Sequence, residues 1–207
     1  MTETNALSQP APVTPAFPEP VFDAARSFRA ILTALSRPGT VVTVEADLEP
    51  PAPMGRAMAA TLLTLCDVDT AVHLDATLDE GVRTWSDFHT AAPRLAARDA
   101  NKAQFVFATT PAGRLPLAEL SQGTQAYPDR SVTCVWACER LTEGSGSRLT
   151  GPGIEAHALL DCDVFDDAFR DTWAANGARF PRGVDLLLTC GDRLAALPRT
   201  TRIGGLV

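Results

Sequence analysis

From Phe22 onward the chain alternates segments whose apolar residues recur at helical spacing with short β-branched or apolar runs, and proline and glycine mark the joins. Periods of 3.6 and 2 in turn cannot be met by an all-helical or all-sheet core, so the alternation predicts an α/β fold. Phe22, Ala25, Phe28, Ile31, Leu32 and Leu35 outline the buried face of a first helix, with Asp23, Arg26 and Arg29 facing away, and Ser36-Arg37-Pro38-Gly39 stops it. Residues 41–44 read as a strand, 54–65 as a second helix and 71–74 as the next strand. A third helix over 82–89 has Asp79 and Glu80 at its N-terminal end, where the helix dipole favours negative charge.

Strands follow at 104–108 and 131–138, with a short helix at 117–121 between them. Residues 143–147 read as a flexible turn that returns through strand 148–150 into Gly151-Pro152-Gly153-Ile154. A helix over 163–176 buries Val164, Phe165, Ala168, Phe169 and Trp173, and strand 184–190 closes as a hairpin with 193–197. The expected architecture is one α/β domain over residues 21–207, a mixed sheet flanked by helices with antiparallel pairs near the C-terminus. Residues 1–20 hold five of the sixteen prolines and read as a flexible tail of polyproline character.

At 207 residues roughly 70% of the unfolded chain's surface can be buried, so the core needs no disulfide or structural metal. The five cysteines read as reduced core residues. A formal net charge of -7 repels a nucleic-acid backbone, and no run of Lys and Arg overrides it. Nothing approaches the roughly 20 apolar residues of a spanning helix. With no targeting signal legible at the N-terminus, a cytoplasmic location is the expectation.

Several common chemistries are excluded. Lys102, the only lysine, follows Asp99-Ala100-Asn101 and not a glycine-rich phosphate loop. In the same polar turn it is a poor Schiff-base nucleophile, which disfavours a pyridoxal-phosphate enzyme. Gly144–Gly146 and Gly151–Gly153 lack the third glycine of a dinucleotide fingerprint, and the three histidines form no zinc-binding helix. Cys134 and Cys138 on one strand would lie roughly 13 Å apart, too far to share a metal. No metal site and no cofactor are expected.

Four features keep a functional reading beside a structural one. His89 is a candidate general acid or base, or a cap on helix C-terminal carbonyls. Asp67 and Asp69 could hold a divalent cation or form a turn. Thr150, Gly151 and Gly153 offer a hydroxyl and N–H groups to an anion, or simply a tight turn. Leu197-Pro198-Arg199-Thr200-Thr201-Arg202 supplies two guanidinium forks and two hydroxyls, with Arg199 and Thr200 the site candidates, that could grip phosphate or phosphonate oxygens or dock on a partner protein.

These segments stand in a recognisable order. Ser27-Phe28-Arg29, Leu35-Ser36-Arg37-Pro38-Gly39, Leu62-Leu63-Thr64-Leu65 with Asp67 to Thr70, and Phe88-His89-Thr90-Ala91-Ala92-Pro93 are followed by Gly123-Thr124 and Leu149 to Ile154. Phe180-Pro181-Arg182-Gly183-Val184-Asp185-Leu186, Leu188-Thr189-Cys190-Gly191 and Pro198-Arg199-Thr200-Thr201 complete the set. From about Phe22 to Arg202 the chain resembles the PhnH family of the bacterial carbon-phosphorus lyase system. The resemblance implies a fold like the large domain of pyridoxal-phosphate-dependent transferases without the cofactor site. It also implies a core complex with subunits G, I and J, and a homodimer when the chain is alone. With ATP and an alkylphosphonate such as methylphosphonate, that system displaces adenine and makes ribose 1-alkylphosphonate 5-triphosphate, with the nucleosidase-like chemistry on subunit I. No catalytic residue carries over, so this chain reads as a subunit that acts by assembly; a stand-alone phosphate- or phosphonate-binding enzyme is the alternative.

Overall fold

The alternating segments close into two sheets, in a computed structural model that describes residues 13–206. The strands of the larger sheet are β1 (Val42–Thr43), β2 (Val72–Leu74), β3 (Phe105–Ala108), β4 (Thr133–Ala137), β7 (Asp185–Cys190) and β8 (Arg193–Leu197). Across the sheet they take the order β1-β8-β7-β4-β3-β2. Strands β2, β3, β4 and β7 run parallel, and the hairpin β7–β8 and then β1 add an antiparallel edge. The second sheet is antiparallel, with β5 (Leu141–Thr150) between β6 (Ala158–Cys162) and β9 (Arg202–Leu206).

Helices α1 (Pro20–Ser36), α2 (Arg56–Leu65) and α3 (Glu80–Thr90) cover one face of the large sheet. Helix α4 (Asp167–Gly177) and the small sheet cover the other. This sandwiching explains why the three leucines Leu186–Leu188 follow one another without polar alternation. Leu187 packs with α1 and α2, whereas Leu186 and Leu188 pack with Phe169 and Trp173 of α4. Each such leucine, fully buried, contributes about 1.5–3 kcal/mol relative to exposure.

Local chemistry sets the helix starts. The Asp79 carboxylate accepts from Val82 N at 2.9 Å and begins α3, while Asp166 accepts from Phe169 N at 2.7 Å and begins α4. The fourth helix therefore opens later than its composition implies, at Asp167, because Asp166 supplies the cap. Asp79→Ala is expected to lower stability by about 1 kcal/mol in urea denaturation, the usual loss of an N-cap.

Other expectations are corrected. Helix α1 is rotated: Asp23, Ser27, Ile31 and Ala34 face the body, whereas Val21, Phe22, Phe28 and Leu32 are 78%, 65%, 50% and 53% exposed. Small Ser27 and Ala34 permit close approach, and Asp23 tolerates burial because Glu19 N donates to its carboxylate at 2.8 Å and Arg26 at 2.5 Å. Those two partners, the Glu19 amide first, hold the Asp23 carboxyl below its ordinary range despite desolvation.

Residues 143–147 are not a free turn but the bulged middle of β5, with the register against β6 shifting between Glu143 and Ser147. Residues 117–121 hold only a 3-10 turn, Leu117–Glu119, and β6 and β9 have no counterpart in the strand pattern read from the sequence. Of the proline-rich stretch, residues 1–12 lie outside the described residues. Within 13–19, Phe17 is buried and the Thr14 carbonyl accepts from Trp85 Nε1 at 2.9 Å, so this part lies docked on the body.

Candidate functional site

A cleft of about 620 Å³ lies between α4 and the turn joining β8 to β9. One wall is α4, presenting Arg170, Trp173 and Gly177; the other is Arg199, Thr200, Thr201, Arg202 and Ile203, with Phe180 and Pro152 at the rim. Two buried side chains fix the walls relative to each other. Trp173 Nε1 donates to Thr201 O at 2.8 Å. The Asn176 amide exchanges a reciprocal pair with Val184, each bond 2.9 Å, and so ties α4 to the strand beneath it.

Arg199 is the hub of the turn. Its Nη2 donates to Asp185 Oδ2 at 2.5 Å and to Ser131 Oγ at 2.6 Å, and its Nε donates to Asp185 Oδ1 at 3.1 Å. Nη1 donates to the carbonyls of Pro128 at 2.9 Å and Pro181 at 3.2 Å. A guanidinium has five N–H donors, and all its nitrogens here are engaged with protein oxygens. The sequence pairs Arg199 with a phosphate-gripping role, but the fold commits its fork to bracing three loops.

The structure does bring the glycine turn and the Arg-Thr-Thr turn together. Gly151 approaches Thr200 so closely that a Cβ at 151 would stand 2.8 Å from Thr200 O, and Thr150 pairs with Arg202 across the β5–β9 ladder. Gly153 faces elsewhere, onto the Ser36 carbonyl at the end of α1, and Gly39 packs on Ala158. The Ser-Arg-Pro-Gly and Gly-Pro-Gly motifs, far apart in sequence, are thus one contact.

The second fork and second hydroxyl of the same sequence segment, Arg202 and Thr201, are less committed than Arg199. Arg202 is exposed, with no carboxylate in ion-pairing range among the described residues. Thr201 Oγ1 is buried without a hydrogen-bond partner. Arg170 is held by Ser147 Oγ at 2.8 Å and by the Gly204 carbonyl. Of the three guanidinium groups of the cleft, Arg199 is paired with Asp185 and Arg170 lies 3.9 Å from Asp167, which leaves Arg202 as the one without an ion pair among the described residues.

The remaining candidates lie apart from it. His89, on α3, places Nε2 2.9 Å from Thr14 O and packs edge-on against Trp85 and Phe88 at 5.0 Å, so it clamps the chain segment before α1. Asp67 accepts from Asp69 N at 3.0 Å and Thr70 Oγ1 at 2.8 Å; the Thr70 hydroxyl and then the Asp69 amide lower its pKa. That is the turn reading of the pair. Lys102 is paired with Asp99 at 2.7 Å on the surface and does not line the cleft.

The profile of the family described as bacterial phosphonate metabolism protein (PhnH) matches residues 15–204, which includes both walls of the cleft and every motif above. This chain belongs to the PhnH family. It is 40% identical over 189 residues to a protein of Rhizobium meliloti (strain 1021) named alpha-D-ribose 1-methylphosphonate 5-triphosphate synthase subunit PhnH, covering 91% of this chain and 94% of that one. A putative C-P lyase subunit protein, HtxG of Stutzerimonas stutzeri, is 33% identical over 179 residues, 86% of this chain and 84% of the relative. The short motifs named from the sequence all lie within the matched stretch. Three of them, the 36–39, 151–153 and 198–201 turns, meet in space through the close approaches of Gly153 to Ser36 and of Gly151 to Thr200. No sequence signal assigns Arg170 or Phe180 to the cleft, because a residue on a helix and one in a loop acquire a shared role only when packed side by side.

Proposed function

We propose that this chain is a subunit of the carbon-phosphorus lyase core complex and takes part in making α-D-ribose 1-methylphosphonate 5-triphosphate from ATP and methylphosphonate, with release of adenine. It contributes by assembly and is not a catalyst by itself. The observation that carries this reading is the near-full-length kinship with a protein named as a subunit of that synthase, at 40% identity. In this reading its partners are subunits G, I and J, it pairs with itself when alone, it works in the cytoplasm, and its fold is related to the large domain of pyridoxal-phosphate-dependent transferases.

A surface suited to such a role is the outer face of α1. Val21, Phe22, Phe28 and Leu32 form an apolar stripe, half or more exposed, of the kind that marks a protein contact. We assign it to another subunit of the same complex, since both named relatives are themselves subunits. The purified chain is expected to leave ATP and methylphosphonate unchanged, and addition of subunits G, I and J to release adenine. Phe28→Asp with Leu32→Asp should abolish co-purification with those subunits while leaving the thermal transition in place, because both side chains point to water in the free chain. Adenine release by the chain alone at a comparable rate would overturn the assembly reading.

A further inference from the structure

The cysteines carry information outside the proposed role. Cys138 follows β4 directly, Cys162 ends β6, and Asp163 comes immediately after it. One ligand atom from each, the two sulphurs and a carboxylate oxygen, lie within 4.8 Å of one another. The three come from two different sheets, so folding alone gathers them. We propose that Cys138, Cys162 and Asp163 form a binding site for a soft divalent metal ion of the zinc class, with solvent in the fourth position.

Four features of the surroundings suit that assignment. Zinc takes thiolate and carboxylate ligands tetrahedrally, and bonds of roughly 2.0–2.3 Å put ligand atoms about 3.7 Å apart, so closure from the observed spacing needs shifts on the order of 1 Å. Arg140 N donates to Asp163 Oδ1 at 2.8 Å, an outer contact that orients the carboxylate and leaves its second oxygen available. An open groove lined by Arg140, Asp161, Cys162, Asp163, Asp166 and Arg170 reaches two of the three ligands, Cys162 and Asp163, and gives an ion a route from water. Asp161, Asp163, Asp166 and Asp167 line that groove against two guanidinium groups, Arg140 and Arg170, a net negative lining that favours cations.

The position is also chemically apt. The site sits at the carboxyl ends of parallel strands β4 and β7, where open α/β sheets usually place ligands. Cys190, at the end of β7, flanks Cys138, with its sulphur accepting from Arg193 at 3.4 Å. The Cys162 sulphur next to Cys138, together with burial, pushes the Cys138 thiol well above its ordinary value. A bound dication reverses that preference, because coordination deprotonates a thiol outright. The ion would then staple β4 of the large sheet to β6 of the small one, tying together the layers that bear α4 and the cleft.

The test uses the full chain, reduced and stripped with a chelator, then titrated with Zn²⁺ and separately with Co²⁺. Uptake of one ion per chain, a sulphur-to-cobalt charge-transfer band and a rise in the melting temperature with Zn²⁺ are expected. Cys138→Ser and Cys162→Ser should each lose the band. Asp163→Asn, at an exposed position that should not disturb folding, should bind at least about tenfold more weakly, since even outer contacts of metal sites are worth about 10–100-fold. Cys66→Ser, at a separate buried thiol, should behave like the parent. No uptake by the reduced chain, uptake indifferent to Cys162→Ser and Asp163→Asn, or a Cys138–Cys162 disulfide with no metal affinity after reduction would overturn the proposal.

Discussion

Arg199→Ala is expected to lower folding stability by about 3 kcal/mol, the scale for removing one partner of a buried ion pair. The Arg199 and Asp185 side chains retain only 12% and 25% of their exposure, so the remaining carboxylate would stay largely out of water and unpaired. The carbonyls of Pro128 and Pro181 would lose their donor as well. Arg199→Lys should recover only part of the loss, since an ammonium cannot reach several acceptors held in a planar array. Arg202→Ala, by contrast, removes an exposed guanidinium and should leave folding stability within about 0.5 kcal/mol of the parent. Chemical denaturation of the three variants separates a brace from a grip. Equal loss in Arg199→Ala and Arg202→Ala would contradict the assignment of Arg199 to bracing. Calorimetry with a phosphonate then has a clean reagent in Arg202→Ala, whereas in Arg199→Ala any loss of heat is mixed with the loss of the brace that shapes the turn.

Gly153→Ala should be nearly as damaging, at about 3 kcal/mol, since backbone strain and overpacking add. The backbone φ of +83° is strained for any L-residue by about 1–2 kcal/mol, and the added methyl would overlap the Ser36 carbonyl oxygen and press on Pro38. Because both obstacles are a backbone and a proline ring, the Ser36–Gly39 turn must move and carry the end of α1 with it. An internal control exists: Gly144 has a similar φ of +86° but nothing within 4 Å of where a methyl would stand, so Gly144→Ala should register the strain alone, about 1 kcal/mol. Thermal melts of the pair would show the difference directly. Similar losses for both would mean that the contact with Ser36 is not what makes glycine necessary at 153.

Those two positions also mark how far a reading of residue types reaches. The glycine and arginine turns are legible as candidates for anion binding because residue type alone indicates N–H groups and a guanidinium. What each group faces is decided by tertiary packing: Arg199 faces Asp185, and Gly153 faces Ser36. The same holds for α1. Its helical period is plain, but two apolar rows are compatible with that period; small Ser27 and Ala34 let the inner row close on the body, and Asp23 is accommodated there because the Glu19 amide and Arg26 satisfy its carboxylate. The outer row, with Phe28 and Leu32, is free to serve a partner only once the inner row has been selected.

Cysteine shows the limit most clearly. Along the chain Cys138 has Cys134 for a neighbour, and strand geometry rightly separates them; its partner in space is Cys162, on a strand of the second sheet. Local pattern was enough for the α/β alternation, the strand over 184–190, the net charge of -7 and the ordered motifs that resemble PhnH. These depend on period and composition, which act within a few residues. The second sheet, the face of α1, the internal commitment of Arg199 and the meeting of Cys138, Cys162 and Asp163 came from the packed layers alone. Each is a contact between segments separated along the chain, and its free energy exists only after those layers have closed on one another.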